Sequence, residues 1–476
     1  MLNFIIWRLN RKLLHKIRRN ILMKKLIFTS FIVLSATFFF SCATLDSFTS
    51  KVSSATKSVS KGYATPETYE EAYSYRTDTP YKSIQSLLKD KNLESLRTSK
   101  PSEYVKKACE SISSMAKNDF EKVKMAHDFV AILVSYDAAN FWAGTVPDQE
   151  YTTVIKTKTA VCEGYANTFK KFCDTLGITC QKISGYARGV GTSLLNEPKP
   201  TNSNHAWNLV KINESWYIVD CTWDSGHMEG KISKQDYNTD WLFLKPEHCI
   251  YTHYPSNSKH QLLPQIISAT EFSELPDLRP KFFNATENAT SFNKLNKADG
   301  IYLFSYNAQK NYELSFQLIN ADTNSQIENA SFIKKNDDKN EALFSFPKAG
   351  TYSIRMFYRK NSDKMGHSCG EFLVNSSSAS SIEYPTTYSS SAKNLEIISP
   401  IEMPLKKGQT YRFSVKVENK KFVAVICGKD FIQLENDGNG LFSGEVTIPS
   451  NVKEVKLSVA NSQKGSYEGI ATYTVK

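Results

Sequence analysis

The stretch TKTAVCEGYANTFKKFCDTLGI, residues 157–178, decides how this chain is read. Polar residues open it, and Cys162 falls at the start of a helical pattern. Tyr165, Ala166, Phe169, Phe172 and Cys173 then share one face, and Leu176-Gly177 closes the helix. A thiol at a helix N-terminus sits beside N–H groups without an intrahelical acceptor and at the positive end of the macrodipole. Both favour thiolate over thiol, and thiolate is the reactive form. Gly164 leaves the first turn without a side chain, which by sequence alone would let a substrate approach Cys162. Taken singly, such a cysteine reads more readily as a small buried hydrophobe.

Working outward, NHAWNLVKI (204–212) and SWYIVDCTWD (215–224) are strand-like and are joined by Asn213-Glu214. A two-residue loop pairs residues 212 and 215. Residue 207 then lies opposite 220, and His205 is the diagonal, same-face neighbour of Asp220. That diagonal spans roughly 7–8 Å between backbones, within reach of the two side chains. An odd-length loop would break the register. A nucleophilic cysteine needs that pair: an imidazole as base and acid, and a carboxylate to fix its tautomer. Alone, His205 reads as a strand-edge histidine packed between Trp207 and Trp223, and Asp220 as a carboxylate ending a strand. The three together, each in the right element, point to thiol chemistry. Tyr136, Trp142, Trp207 and Trp223 are the candidate cleft-lining residues. His127-Asp128 sits mid-helix and reads as local positioning or core support, and Cys173 reads as core.

V-C-E-G-Y-A-x-x-F (161–169), S-G-Y-A-R-G (184–189), N-H-A-W-N-x-V (204–210) and W-Y-x-V-D-x-T-W-D (216–224) resemble the transglutaminase-like core. FLKPEHCIYTHYPSNSKHQLL (243–263) resembles the extension of its kyphoscoliosis peptidase-like subgroup. The resemblance implies an α+β papain-like/transglutaminase-like core followed by all-β immunoglobulin-like sandwich domains. It also implies a catalytic triad of Cys162, His205 and Asp220. No side chain matches an oxyanion donor, so the Cys162 backbone N–H is the default.

After about residue 268 helical periodicity gives way to short alternating runs. These include IYLFSY (301–306), YELSFQLI (312–319), YSIRMFY (352–358), YRFSVKV (411–417), FVAVICG (422–428) and GIATYTV (469–475). Strands at this spacing predict two β-sandwiches. AGTY (349–352) resembles the late-strand tyrosine signature of immunoglobulin-like folds. The expected organisation is a leader and signal over 1–41, a tether over 42–79 and a transglutaminase-like domain over 80–267. A sandwich over 268–375, a Ser-rich linker over 376–392 and a second sandwich over 393–476 follow.

MKKLIFTSFIVLSATFFFSC (23–42) has a charged start, a short apolar middle and a small residue before Cys42. It resembles a bacterial lipoprotein signal, which implies lipidation at Cys42 and export to a membrane-anchored site in the cell envelope. The chain has 476 residues, of which 41% are hydrophobic, 12% aromatic and 22% charged, so collagen, coiled coil and wholesale disorder are excluded. Of the net charge of +11, eight positive charges fall in residues 1–41, leaving +3 for the rest. A near-neutral body exerts little pull on polyanions, which argues against nucleic acid. Nine cysteines without a C-x-x-C or zinc-finger spacing argue against a structural metal site and a disulfide scaffold.

The expected function is therefore an exported cysteine-nucleophile enzyme. It would act on protein or peptide amide bonds through an acyl-enzyme, with hydrolysis favoured over cross-linking. No cofactor is expected. Protein or peptide substrates, including cell-wall peptides, are the expected partners, with the membrane reached through lipid. The alternative is a non-enzymatic surface adhesin or scaffold that uses its immunoglobulin-like modules.

Overall fold

A computed structural model describes residues 66–189, 192–289, 291–335, 339–361, 363, 365–388 and 395–476. The helix Asp119–Leu133 begins where Asn118 Oδ1 accepts the Glu121 N–H at 2.9 Å. A cap of this kind contributes about 1 kcal/mol. The apolar stripe of this helix meets those of Pro101–Met115 and Cys162–Thr175. Val105, Ala108, Ile112, Val130 and Phe169 are buried together there, and the Phe129 and Phe172 rings lie 5.0 Å apart.

The helical layer rests on a five-stranded antiparallel sheet. Its order is Leu242–Leu244, Ser215–Val219, His205–Ile212, Thr179–Ala187 and His253–Pro255. Asn213 and Glu214 both take positive φ (48° and 67°), which lets the chain reverse in two residues. Ile212 therefore faces Ser215 and Asn208 faces Val219, the register expected from the sequence. Asn208 Nδ2 donates to the Ala166 carbonyl at 3.1 Å and so binds the sheet to the Cys162–Thr175 helix.

Two sandwiches follow, antiparallel except where Leu295–Ala298 runs parallel to His367–Ser376. In the first, one sheet runs Asp277–Leu278, His367–Ser376, Gly350–Lys360, Tyr312–Asn320. Its partner runs Thr286–Ala289, Ile301–Ala308, Asn340–Ser345, Ser331–Lys335. Tyr352 is buried and donates to the Lys348 carbonyl at 2.9 Å, as the tyrosine signature predicts. The second sandwich has sheets of five and four strands between Thr386 and Thr474. The fold is thus an α+β core followed by a strand-dominated region of two β-sandwiches.

Two sequence expectations meet structure where a tether and a linker were read. Pro66–Ser74, inside the expected tether, forms a helix that buries Tyr69 and Ala72 in the first core. Its rings explain why: Tyr69 packs edge-on to Tyr217 at 5.4 Å. Within the Ser-rich stretch, Tyr384 is buried against Phe332 and Thr386–Thr387 pair with Glu468–Thr474. Among the described residues no helix is long and apolar enough to cross a membrane. Cys42 and the apolar run before it lie outside the described residues.

Candidate active site

Cys162 is the first residue of its helix, with extended Val161 before it. Just upstream, Ser135–Tyr136 pairs in parallel with Thr159–Ala160, and Gln149 Oε1 accepts the Val161 N–H at 2.9 Å. The entry to the helix is thereby held from two sides. A Cβ built on Gly164 would lie 2.6 Å from Gln149 Oε1, 2.7 Å from Ala160 Cβ and 2.8 Å from Val154 Cγ2. Gly164 therefore serves close packing beneath the helix. It does not open an approach to Cys162, as its place beside the thiol had suggested.

His205 starts its strand and Asp220 directly follows the neighbouring one, Ser215–Val219, and their side chains meet: Nε2 to Oδ2 is 2.7 Å. This bond occupies Nε2, so Nδ1 is the nitrogen left for Cys162. Burial alone would push the Cys162 thiol up. The facing His205 imidazole outweighs it and holds the thiol below the ordinary range. Burial likewise pulls His205 down, but Asp220 first and Cys162 second push it up to about 10. The sulfur and the ring thus favour the thiolate–imidazolium pair.

Asp220 is almost wholly buried and fully partnered. It caps the short helix Cys221–Ser225, with Oδ1 accepting the Thr222 and Trp223 N–H groups at 2.8 and 3.3 Å. Oδ2 accepts from His205 and also lies 3.2 Å from Nε2 of His253. Burial alone would raise this carboxyl, but His205 and His253 hold it well below the usual carboxylate range. His253 is a site residue that sequence reading missed. It lies in the 243–263 segment, whose only signal was the family extension.

The candidate lining residues divide. Tyr136 is half-buried beside Cys162, and burial pushes its phenol up. Its ring meets Phe141 at 5.9 Å, and Phe141 meets Trp142 at 5.3 Å. Phe141 and Trp142 are 39% and 41% exposed, so this aromatic track leads outward. Trp223 covers His205 at 5.4 Å between ring centres. Trp207 is only 2% exposed and stacks under His205 at 6.0 Å, so it is a floor of the site and not an open wall.

A second buried cluster lies under the same short helix. His127 Nε2 is 2.9 Å from Asp224 Oδ2, and its Nδ1 is 3.4 Å from Asp128 Oδ1. Lys124 Nζ donates to both Asp128 oxygens at 2.6 Å, and the Tyr237 hydroxyl donates to Oδ1. Arg188, from the S-G-Y-A-R-G motif, is also fully buried. It pairs with Glu197 at 2.7 and 3.0 Å and donates to the carbonyls of Tyr251, Phe272 and Pro276. That arrangement ties the sheet to the segment leading into the first sandwich.

Among the described residues, His205, Asp220 and His253 are the one group whose potential metal-ligand atoms converge, within 4.8 Å of one another. Those atoms are already spent on each other in hydrogen bonds. The eight described cysteines are all unpaired; seven are buried, and Cys162 alone is half-buried.

Residues 106–221 match the transglutaminase-like superfamily, a span that contains Cys162, His205 and Asp220. Residues 269–387 match the KY-like, immunoglobulin-like domain. The chain is 29% identical over 174 residues to the kyphoscoliosis peptidase of Homo sapiens, covering 36% of this chain and 26% of that protein. It is 29% identical over 133 residues to Hillarin of Drosophila melanogaster, covering 25% of this chain and 16% of that protein. The chain thus matches about a quarter or less of the length of these relatives. A solved structure described as a TGase shares 24% identity over 25% of this chain and 31% of its own, with a TM-score of 0.21.

Proposed function

We propose that this chain, which carries a transglutaminase-like domain at 106–221 and a KY-like, immunoglobulin-like domain at 269–387, is a cysteine-nucleophile enzyme acting on protein or peptide amides. The observation that carries the reading is one line of contacts. A half-buried thiol at a helix mouth faces an imidazole whose far nitrogen is 2.7 Å from a buried carboxylate.

In this reading the Cys162 thiolate attacks the amide carbonyl carbon. The Cys162 backbone N–H, free of an intrahelical acceptor, meets the developing oxyanion. The His205 imidazolium gives its proton to the leaving nitrogen as the C–N bond breaks, and a thioester remains. Water then attacks the thioester while His205 takes its proton, releasing the acid and restoring the thiol. A primary amine in place of water gives a new amide, so one site supports hydrolysis and cross-linking. We favour hydrolysis. Asp220 keeps the His205 ring oriented and compensates its charge throughout.

A peptide-library digest with wild type and Cys162→Ala, each with and without an added primary amine, tests this. The expected result is cleavage that depends on Cys162 and is partly diverted to amine adducts. Turnover that survives in Cys162→Ala would overturn the reading. We further propose that the chain is exported and lipid-anchored through Cys42. Intact-mass analysis of the membrane-extracted protein checks this, and an unmodified Cys42 retained in the product would remove it.

A further inference from the structure

We propose that His253 is a positioning residue for the Cys162–His205 pair, acting through the second N–H donor it supplies to Asp220. The inference deepens the amide-chemistry reading and rests on His205 being the imidazole that moves protons.

His253 is 2% exposed and lies on the edge strand His253–Pro255, which reaches the site by pairing with Gly185–Ala187. Its ring centre is 5.0 Å from Trp207, 4.5 Å from Trp223, 5.0 Å from Trp241 and 5.3 Å from His205. Within this cage it has two polar contacts: Nε2 to Asp220 Oδ2 at 3.2 Å, and Nδ1 to Thr252 Oγ1 at 2.9 Å. An ionised carboxylate only accepts, so Nε2 carries the proton. In a neutral ring Nδ1 then accepts from the Thr252 hydroxyl, whose single proton is shared between Nδ1 at 2.9 Å and the Cys249 carbonyl at 3.1 Å. This arrangement fixes the tautomer without a net charge.

The surrounding charges favour the neutral ring. Asp220 draws it toward the cation. Burial first, then His205 and Arg279, oppose this and hold His253 down at about 4. The Arg279 guanidinium lies 5.0 Å from the centre of the Trp223 ring that covers His253. Cys162 lies beyond, on the far side of His205.

The consequence falls on His205. Asp220 Oδ2 divides its acceptor strength between two N–H groups, and its rotamer is fixed by four donors in all. Without His253 the whole of Oδ2 turns to His205. The imidazolium is then held harder and surrenders its proton to a leaving nitrogen less readily. The carboxylate also gains a direction in which to rotate. Hydrogen-bond partners that orient metal-bound histidines change activity by about 10–100-fold, and an effect at the lower end of that range is expected for His253.

The test compares His253→Phe, which fills the cage without a donor, with His253→Gln, which restores an N–H. Two readouts are used. One is the pH dependence of Cys162 alkylation by iodoacetamide, which needs no substrate. The other is kcat against KM on any peptide found to be cleaved. In His253→Phe, kcat should fall about tenfold with KM nearly unchanged. The alkylation profile should move to lower pH by about half a unit, because a more basic His205 favours the ion pair. His253→Gln should recover most of both. Profiles of the Phe variant that superimpose on wild type, or Phe and Gln variants that behave alike, would overturn the proposal.

If the Phe variant does not fold, nitrogen-15 NMR of the wild-type imidazoles decides. A neutral His253 protonated on Nε2 at neutral pH supports the assignment; the Nδ1–H tautomer or a cation overturns it. An alkylation shift without turnover of any peptide supports the role of His253 while counting against the amide chemistry.

Discussion

Among the described residues, His205–Asp220 and His127–Asp224 are buried histidine–aspartate pairs of nearly the same length, and the first of them faces a half-buried thiol. His205 Nε2 meets Asp220 Oδ2 at 2.7 Å, and His127 Nε2 meets Asp224 Oδ2 at 2.9 Å. The two aspartates lie at opposite ends of one short helix, Cys221–Ser225 with its cap. The difference is at the other ring nitrogen. That of His205 is left for a half-buried thiol, whereas that of His127 meets Asp128, already neutralised by Lys124. A hydrogen-bonded His–Asp pair is therefore not in itself a reactive site. One imidazole faces a sulfur, and the other is tied by carboxylates on both sides.

The largest effects should separate the pairs by kind. Cys162→Ala should cost at least about a thousandfold in kcat with little change in unfolding free energy, and His205→Ala should match that loss in kcat, because members of a reacting unit fail together, while also costing stability by leaving buried Asp220 to His253 alone. His127→Ala should cost stability without touching the thiol. It strands buried charge, so denaturant titration should show a loss of about 3–5 kcal/mol. The protein that stays folded should keep the wild-type rate of Cys162 alkylation. An equal loss of alkylation and stability in both histidine variants would erase the distinction.

Thiol chemistry offers a second contrast. Burial pushes Cys109, Cys173, Cys221, Cys249 and Cys369 up, while His205 holds Cys162 down. Iodoacetamide at neutral pH should therefore label Cys162 about a hundredfold faster than any of those five, read by peptide mass spectrometry. The rate should rise with pH through the lowered Cys162 value. Activity should fall again near 10, where the His205 proton is lost.

The aspartates should also titrate with opposite signs. Asp220 is held down in the folded state, so its stabilisation is complete above about 3.9 and is lost on acidification below that. Burial pushes Asp224 up to about 6. Its folded form prefers the proton, so its contribution is complete below about 3.9 and is lost as pH rises to 6. Asp224→Asn should thus gain on wild type between pH 4 and 6, by up to about 3 kcal/mol. Asp220→Asn should lose ground as pH rises from below 3 to 4 and then run parallel. Urea titrations across pH 3–7 would show whether the two difference curves diverge in this way.

What the letters revealed follows the same divide between local and distant causes. Cys162 at a helix start, and His205 diagonal to Asp220, rest on a helix cap and a two-residue turn. The sequence expresses both within a few positions. The two sandwiches were legible from alternation, and Tyr352 from its motif. His253 was not, because it reaches Asp220 only through an edge strand that pairs with residues far upstream. The His127 cluster was half legible: a mid-helix His-Asp pair suggested support, but Asp224 and Tyr237 come from elsewhere. Trp207 was misplaced as a cleft wall because alternation tells which face a residue takes and not whether that face is covered. The Pro66–Ser74 helix was hidden by polar flanks, although its two buried residues dock on a core built by later segments.

The smallest expected effect concerns how the open pair is supported from below. Gly164 sits two residues from the thiol, yet its missing side chain faces Gln149, Ala160 and Val154. A methyl group there would stand 2.6–2.8 Å from those three residues, one of which, Gln149, also holds the Val161 N–H. Gly164→Ala must therefore push Gln149 away or shift the helix entry. Overpacking of this kind costs about 1–3 kcal/mol. If the first turn moves, the Cys162 amide and sulfur move with it, and alkylation should slow severalfold. Gly177→Ala at the other end of the helix offers the control. It meets no atom within 4 Å and carries only the strain of its φ of 75°. It should cost about 1 kcal/mol and leave the thiol untouched. Equal alkylation in both variants would mean that the entry to the helix is not what positions the sulfur.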